Sequence, residues 1–429
     1  MKPQRMKEWS GLGTHHNSVI AEPRRDAADR ALWAVRLLWL GTACSVIGMI
    51  VFTNFGWDAW DYLSAFEHHQ VCTLPYSPLV MIPVVRLGRL LPLSLMMSVF
   101  VFAYFCGWLV QLWAGMQCAT PDERRIFRYV APVITFFPGL VISDVIASLN
   151  VAYILYGLML AGAAWGWKRQ RWSWFYLAVL AAACVKVHML TMLAIPLLCG
   201  RRQWSRTLAT AAAGLGLYAV QSVIWPEAFQ EYSLSLKLMS QLKRDFGYAP
   251  VGNLARILQG FGVPHTVPCI LFYSVYAVAL FLLLLWLSRL YRDSRICFES
   301  WAPVMLLGVA LLNPRILPYD IAWVSLPMAI VLWRAMRGSH DLRRNFLTRR
   351  LIGAAVILLA LTIYESGGSR PLATVLTDQL LGMLIMLGIF AAGLWGLLKE
   401  AGIVPLAKNA SYASYVVKTK LPTFDSVDV

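Results

Sequence analysis

The residues whose types and settings suit chemistry are Asp58, Asp61, Tyr62, Tyr76, Asn150, Lys186, His188, Asn313, Arg315, Tyr319 and Asp320. Most of them stand where an apolar run meets a polar break. Ionisable groups at such places are costly to bring to membrane depth, so a partner or a substrate must offset the cost. On a short helix from Trp57 to His69, about 100° per residue puts Asp58, Asp61 and Tyr62 on one face and Trp60, Leu63 and Phe66 on the other. With the apolar face on the bilayer, the acidic face looks into a cavity, where a carboxylate can accept a proton from an attacking hydroxyl. The plainer alternative is a pair of solvated loop acids.

Lys186, His188 and Arg315 suit a phosphate, since Arg offers its oxygens a planar fork and Lys a point charge. Lys186 can also be read as a side chain that snorkels to the interface. Other members of the set have structural readings of their own. Asn313 and Pro314 fit a turn before a helix, Tyr76 and Pro78 a turn with an interfacial aromatic, and Asn150 a helix start. The tryptophans read as interfacial belt residues rather than as a stacking platform.

The elements that must position these groups are membrane helices. Of 429 residues, 59% are hydrophobic and 14% charged, more apolar surface than a soluble core of this length would hide. Apolar stretches near the length needed to cross about 30 Å of hydrocarbon recur from Ala31 almost to Leu398. The expected architecture is an all-α integral membrane protein, a polytopic bundle of about twelve transmembrane helices with amphipathic helices on the outer face. It divides into a basic cytoplasmic segment 1–30, a membrane domain 31–398 and a flexible cytoplasmic tail 399–429.

Within the membrane domain, a first helix runs from about Leu32 to Thr53, and an external loop free of Lys and Arg follows. The Pro-broken stretch Leu79 to Leu91 is expected at the interface, ahead of a helix Leu93 to Trp113. Two spans end near Ile146 and Trp167. The apolar runs on either side of Lys186 and His188 are each too short to cross alone, which predicts a membrane-embedded turn near the outer surface. A helix Leu208 to Trp225 opens onto a long outer segment, Pro226 to Thr266, with Leu254, Ile257, Leu258 and Phe261 at helical spacing. Spans near 267–288, 301–313, 319–333, 351–364 and 379–398 complete the expected set.

The formal charge of +16 does not read as a nucleic-acid surface, because the basic residues form small clusters between apolar spans. They set topology instead. A cytoplasmic amino terminus puts most of the 38 Lys and Arg inside. The first thirty residues are too polar for a secretory signal, so the first apolar run is expected to stay as an uncleaved anchor. The eight scattered cysteines, with Cys72 in an outer loop, predict neither a metal site nor a structural disulfide. There is no Gly-rich phosphate loop, no soluble domain for a nucleotide-sugar fold and no internal repeat of the kind many transporters carry.

In this order the motifs resemble glycosyltransferase family 87, GT-C membrane enzymes that use polyprenyl-phosphate sugars. That family has an Asp followed four residues later by Tyr after its first helix, as in WDAWDY with Asp58 and Tyr62. A Tyr-x-Pro element follows, as in PYSPL from Pro75 to Leu79. The stretch SLNVAYILYGLML is similar to the family's Gly-Gln-x-Asn helix start, with Asn150 kept and the Gly-Gln pair absent. CVKVHMLTMLAIPLLCGRRQW resembles its Lys-bearing turn, and LNPRILPYDIAW its late Pro-Arg turn. Some members carry histidines where this chain has Tyr319 and Asp320.

The resemblance spans roughly residues 30 to 335 and implies a GT-C-like fold. It also implies a donor that is a polyprenyl-phosphate hexose, mannose above all, and an acceptor that is a lipid or glycan hydroxyl. Asp58 would be the base, Lys186 and Arg315 would face the donor phosphate, and the anomeric centre would invert. No cofactor and no obligatory metal is expected, because Arg and Lys suffice for a single phosphate. The expected setting is a bacterial inner membrane, with the site facing the periplasm or cell exterior and membrane lipids as neighbours. Asp61 remains the alternative base, and the oligomeric state stays open. A transporter or flippase of lipid-linked saccharides is the main rival, ahead of a lipid-to-lipid ligase or polymerase and a non-catalytic scaffold.

Overall fold

The computed structural model describes residues 76–88, 90–136, 149–200, 203–241, 247–338 and 372–404, with scattered helical positions between Trp33 and Ile47. Asp58, Asp61, Tyr62, Cys72, the expected span at 351–364 and most of the carboxyl tail lie outside the described residues. Among those described, the chain is helical, and its β pairing is a single isolated bridge between Gly247 and Ile316. In order, the helices are α1 (Pro78–Gly88), α2 (Leu93–Gln117), α3 (Pro121–Phe136), α4 (Ala152–Arg169) and α5 (Ser173–Val185). A 3₁₀ segment, Val187–Leu193, leads into the short α6 (Ala194–Leu198). Then come α7 (Trp204–Ile224), α8 (Pro226–Gln241), α9 (Pro250–Gly260) and α10 (Thr266–Arg292). Last are α11 (Phe298–Leu311), α12 (Pro318–Gly338) and α13 (Leu372–Glu400).

Four of these are long and apolar enough to cross a membrane: α2, α7, α10 and the Gln379–Glu400 part of α13. Several other apolar helices are shorter, and their lengths follow from where they stop. α5 halts at Lys186 and α11 just before Asn313, so each ends where polar side chains gather rather than at a bilayer surface. The long helices also run past their expected limits. α2 continues to Gln117, and α7 begins at Trp204.

The described core lies among α4, α5, α10, α11 and α12, where Met159, Phe175, Val179, Leu284, Leu307, Val324 and Ile330 are fully buried. α2 crosses α4 almost backbone to backbone. A Cβ on Gly107 would stand 2.5 Å from the Tyr153 carbonyl oxygen, and one on Gly157 would stand 2.5 Å from the Gly107 Cα. Small residues permit this approach where lipid offers helices no hydrophobic drive to associate. Gln111 fastens the crossing by donating Nε2 to the same Tyr153 carbonyl at 2.8 Å. Among the described tryptophans only some suit the belt expected from sequence. Trp165, Trp174, Trp204 and Trp395 are exposed, whereas Trp172, Trp301 and Trp323 are core residues.

One end of the bundle is closed by a saturated ion pair. Thr120 and Glu123 form a capping box at the start of α3, with the Thr120 N–H donating to Glu123 Oε2 at 2.9 Å and the Glu123 N–H to Thr120 Oγ1 at 3.3 Å. Arg334, near the end of α12, grips that carboxylate through Nε at 2.8 Å and Nη2 at 2.5 Å. Its Nη1 reaches the Glu299 carbonyl at 2.5 Å and its Nη2 the Cys118 carbonyl at 3.2 Å. The ends of α2 and α12 and the starts of α3 and α11 therefore meet on one guanidinium.

Candidate functional site

About 21 Å along α12 from Arg334, at 1.5 Å per residue, the same helix begins at the other end of the bundle with Asp320 in its first turn. Four helix ends converge there: the start of α4, the end of α5, the end of α11 and the start of α12. The local sequence explains each. Asn150 accepts the Ala152 N–H on its Oδ1 at 3.0 Å, the helix-start role expected of it. Lys186 ends α5 in an extended conformation, φ −139° and ψ 101°, before the 3₁₀ turn carries His188 past it. Asn313 Oδ1 accepts the Arg315 N–H at 3.0 Å and shapes the NPRILP turn. Asp320 Oδ2 accepts the Leu317 N–H at 3.0 Å, which caps α12 and closes that turn from its far side.

These local duties leave the side chains facing one another. Lys186 is buried, donates Nζ to Asn150 Oδ1 at 3.0 Å and lies over the Tyr319 ring, 4.2 Å from its centroid. Asn150 thus caps a helix and holds a lysine with the same oxygen. Asp320, 2% exposed, accepts the Tyr156 hydroxyl on Oδ1 at 3.2 Å, and His188 Nε2 stands 4.0 Å from that same oxygen. The Tyr156 ring stacks on Trp323 with centroids 5.3 Å apart and planes at 19°. Arg315 is half-buried, and its charge acts on Asp320, His188 and Tyr232.

No protein-family model, curated protein or solved structure matches this chain. The geometry must therefore speak for itself. Of the residues singled out from sequence, the structure brings Asn150, Lys186, His188, Asn313, Arg315, Tyr319 and Asp320 to one bundle end. Tyr76 joins them from outside the ring of helix ends. It is buried with Met81 against Val151 and Val185, the neighbours of Asn150 and Lys186. Ser77 beside it donates Oγ to the Cys184 carbonyl at 2.5 Å, and the Leu79 N–H donates to Gln221 Oε1 at 3.0 Å. Tyr76 follows Asp58, Asp61 and Tyr62 in the chain, and those three residues are not among the described ones.

Among the described residues named here, two cations, Lys186 and Arg315, accompany the carboxylate of Asp320. His188 Nε2 is buried with no hydrogen-bond partner among the described residues. A buried polar atom left in that state costs roughly 1–3 kcal/mol and is one an incoming ligand can satisfy. Its neighbours suit an anion with several oxygens.

Sequence reasoning passed over Tyr156, Trp323 and Gln221. Tyr156 and Trp323 sit inside runs of apolar residues that read as core, and Gln221 lies near the end of a membrane helix. A buried glutamine in such a helix was the available signal, since its amide must find a partner.

Proposed function

We propose that the chain is a membrane glycosyltransferase that moves a hexosyl residue, mannosyl in the first instance, from a polyprenyl-phosphate donor to a lipid or glycan hydroxyl. The observation that carries this reading is the cationic site on four converging helix ends, with buried Lys186 held by Asn150 and Tyr319 beside Arg315. A sugar-bearing phosphodiester has one negative charge, and Lys186 and Arg315 can each offer donors to its oxygens. When the C1–O bond to phosphate breaks, the leaving lipid phosphate gains a second negative charge. Groups aimed at that developing charge favour the transition state over the bound donor.

In this mechanism Asp58 takes the proton of the acceptor hydroxyl and the acceptor oxygen attacks C1. The bond from C1 to the phosphate oxygen breaks on the opposite face, which inverts the anomeric centre. Polyprenyl phosphate departs toward Lys186 and Arg315. Support for Asp58 comes from Tyr76, which follows it in the sequence and packs against Val151 and Val185, the neighbours of Asn150 and Lys186. Asp320 is less suited to be the base, with both oxygens already accepting hydrogen bonds from Tyr156 and Leu317. It orients its neighbours instead.

The proposed polytopic GT-C-like bundle of about twelve spans lies in the bacterial inner membrane, with the site on the outer side. Support for that orientation comes from the opposite end, where Lys168, Arg169, Arg289, Arg292, Arg295 and Lys399 cluster at helix ends. The same architecture speaks against a flippase, which needs polar groups along a path through the bilayer. Between Asp320 and Arg334 the buried positions of α12 are Ile321, Ala322, Trp323, Val324, Leu326, Pro327, Ile330 and Val331, with Ser325 bonded to its own helix.

The test is transfer from radiolabelled polyprenyl-phosphate mannose to lipid acceptors by detergent-purified protein, comparing wild type with Asp58→Asn and Asp61→Asn. Loss of a general base lowers turnover by about 10²–10⁴, and that loss is expected in Asp58→Asn alone. Absence of transfer from any lipid phosphosugar, with protein-dependent movement of a lipid-linked saccharide between liposome leaflets, would replace this reading by the flippase.

A further inference from the structure

We propose that Arg256 is a positioning residue for Arg315, acting through the Gly247–Tyr248 strap; this role rests on the reading of Arg315 as a ligand of the donor phosphate. The first sign is the orientation of α9. A helix on a protein surface ordinarily turns its charges outward, yet here Ile257 and Phe261 are 53% and 80% exposed while Asn253 and Arg256 are buried. In a bilayer interface the exposed apolar side rests in lipid. The inward arginine then needs a reason of its own, since burying its charge is costly and its Nε finds no hydrogen-bond partner among the described residues.

The reason lies in what Arg256 holds. Its Nη2 donates to the Gly247 carbonyl at 2.5 Å, and its Nη1 faces Asn253 Oδ1 at 3.4 Å. Asn253 is fastened in turn by donating Nδ2 to the Ala249 carbonyl at 3.1 Å. Gly247 adopts φ +64°, and a Cβ there would collide with the Ile316 carbonyl. That carbonyl accepts the Tyr248 N–H at 2.6 Å, and the Tyr248 ring lies where a side chain on Gly382 of α13 would stand. The strap is thus pinned between α9, α13 and the residue next to Arg315.

Three consecutive residues of the turn have their backbone tied by separate partners. The Arg315 N–H donates to Asn313, the Ile316 carbonyl accepts from Tyr248, and the Leu317 N–H donates to Asp320. Asn313 and Asp320 belong to the turn itself. The strap is the tether that comes from a distant element, and Arg256 is what fixes the strap. Without it the Arg315 backbone gains freedom, and the guanidinium must be ordered again each time a phosphate binds.

The experiment measures binding of polyprenyl monophosphate to the full-length protein in nanodiscs, for wild type, Arg256→Gln, Arg256→Lys, Arg315→Ala and the Arg256→Gln/Arg315→Ala double variant. Arg256→Gln should weaken binding by about tenfold, and Arg256→Lys should recover part of the loss. In the Arg315→Ala background, Arg256→Gln should have almost no further effect, because positioning requires the residue positioned. A merely structural role predicts the opposite, equal losses in both backgrounds, and that result overturns the proposal. So does wild-type affinity in Arg256→Gln beside a clear loss in Arg315→Ala, an outcome that leaves the donor-phosphate reading intact. If Arg315→Ala itself binds like wild type, that reading fails and takes this proposal with it. Should Arg256→Gln not fold, Gly247→Ala breaks the strap contact with the guanidinium in place and carries the same expectations.

Discussion

Lys186→Met separates the two readings of the most deeply placed cation in the site. Methionine keeps the length and flexibility of the stem and removes only the charge and its donors, so no large cavity results. In the structure Lys186 is 8% exposed, its ammonium donating to Asn150 Oδ1 at 3.0 Å and lying 4.2 Å from the centre of the Tyr319 ring. A charge-assisted hydrogen bond to a phosphate oxygen contributes about 1.5–3 kcal/mol, which corresponds to roughly a 10- to 150-fold fall in kcat/KM for the lipid-phosphate donor. The site would also lose one of its two cations, and the second negative charge on the leaving phosphate would meet less positive charge. Most of the loss should therefore fall on kcat. Stability should move little or rise, since a costly buried charge is gone. The assay is steady-state transfer with donor varied at saturating acceptor, paired with thermal unfolding in the same detergent. A Lys186→Met protein that is folded and within about threefold of wild-type kcat/KM would mean that Lys186 snorkels and the phosphate reading of the site is wrong.

Other consequences lie elsewhere in the bundle. Tyr156→Phe removes the hydroxyl donated to Asp320 but leaves the ring stacked on Trp323, so transfer should fall by about three- to tenfold with little change in thermal midpoint. Gly107→Ala pushes a methyl group into the Tyr153 carbonyl of α4, and overpacking of this kind should cost about 1–3 kcal/mol by denaturant or thermal unfolding. Glu123→Gln breaks the bidentate grip of Arg334 and should cost about 2 kcal/mol, less than a fully buried pair because Arg334 is partly exposed. Burial pulls the Glu123 carboxyl upward, but the hydrogen bonds from Arg334 and Thr120 outweigh it and hold the group below its ordinary range. Its contribution to stability is therefore complete above the unfolded carboxylate pKa and is lost as pH falls through the depressed folded value. A pH series of thermal midpoints should show that acid-side loss in wild type, and Glu123→Gln should flatten it.

Much of the site was legible in the sequence because its residues interrupt apolar runs. Lys186 and His188 divide a stretch that neither half could span, and the structure puts an extended residue and a 3₁₀ turn there. The turn at Asn313 to Asp320 carries its own bonding instructions, an asparagine two residues before the arginine and an aspartate three after Leu317. What periodicity could not supply was distance. Tyr156 and Asp320 are separated by 164 positions in the chain, and nothing local to either announces the other. The α9 helix was legible as amphipathic, but pattern alone does not say whether its apolar side faces lipid or protein. Only the burial of Arg256 shows that it faces outward.

The two ends of α12 hold the same ingredients, arginine and a buried carboxylate, in different states of completion. At Arg334, Nε and Nη2 meet Glu123, Nη2 also meets the Cys118 carbonyl, and Nη1 meets the Glu299 carbonyl, while Glu123 closes its own capping box. A cluster so fully bonded has no capacity left for a ligand, and its work is to hold four helix termini together. At Asp320 the carboxylate is bonded, Lys186 and Arg315 stand near it, and His188 Nε2 is buried without a hydrogen bond among the described residues. On the proposed reading, His188 Nε2 is the group left to meet a ligand, and Lys186 and Arg315 are the charges fixed in place before the reaction develops its own.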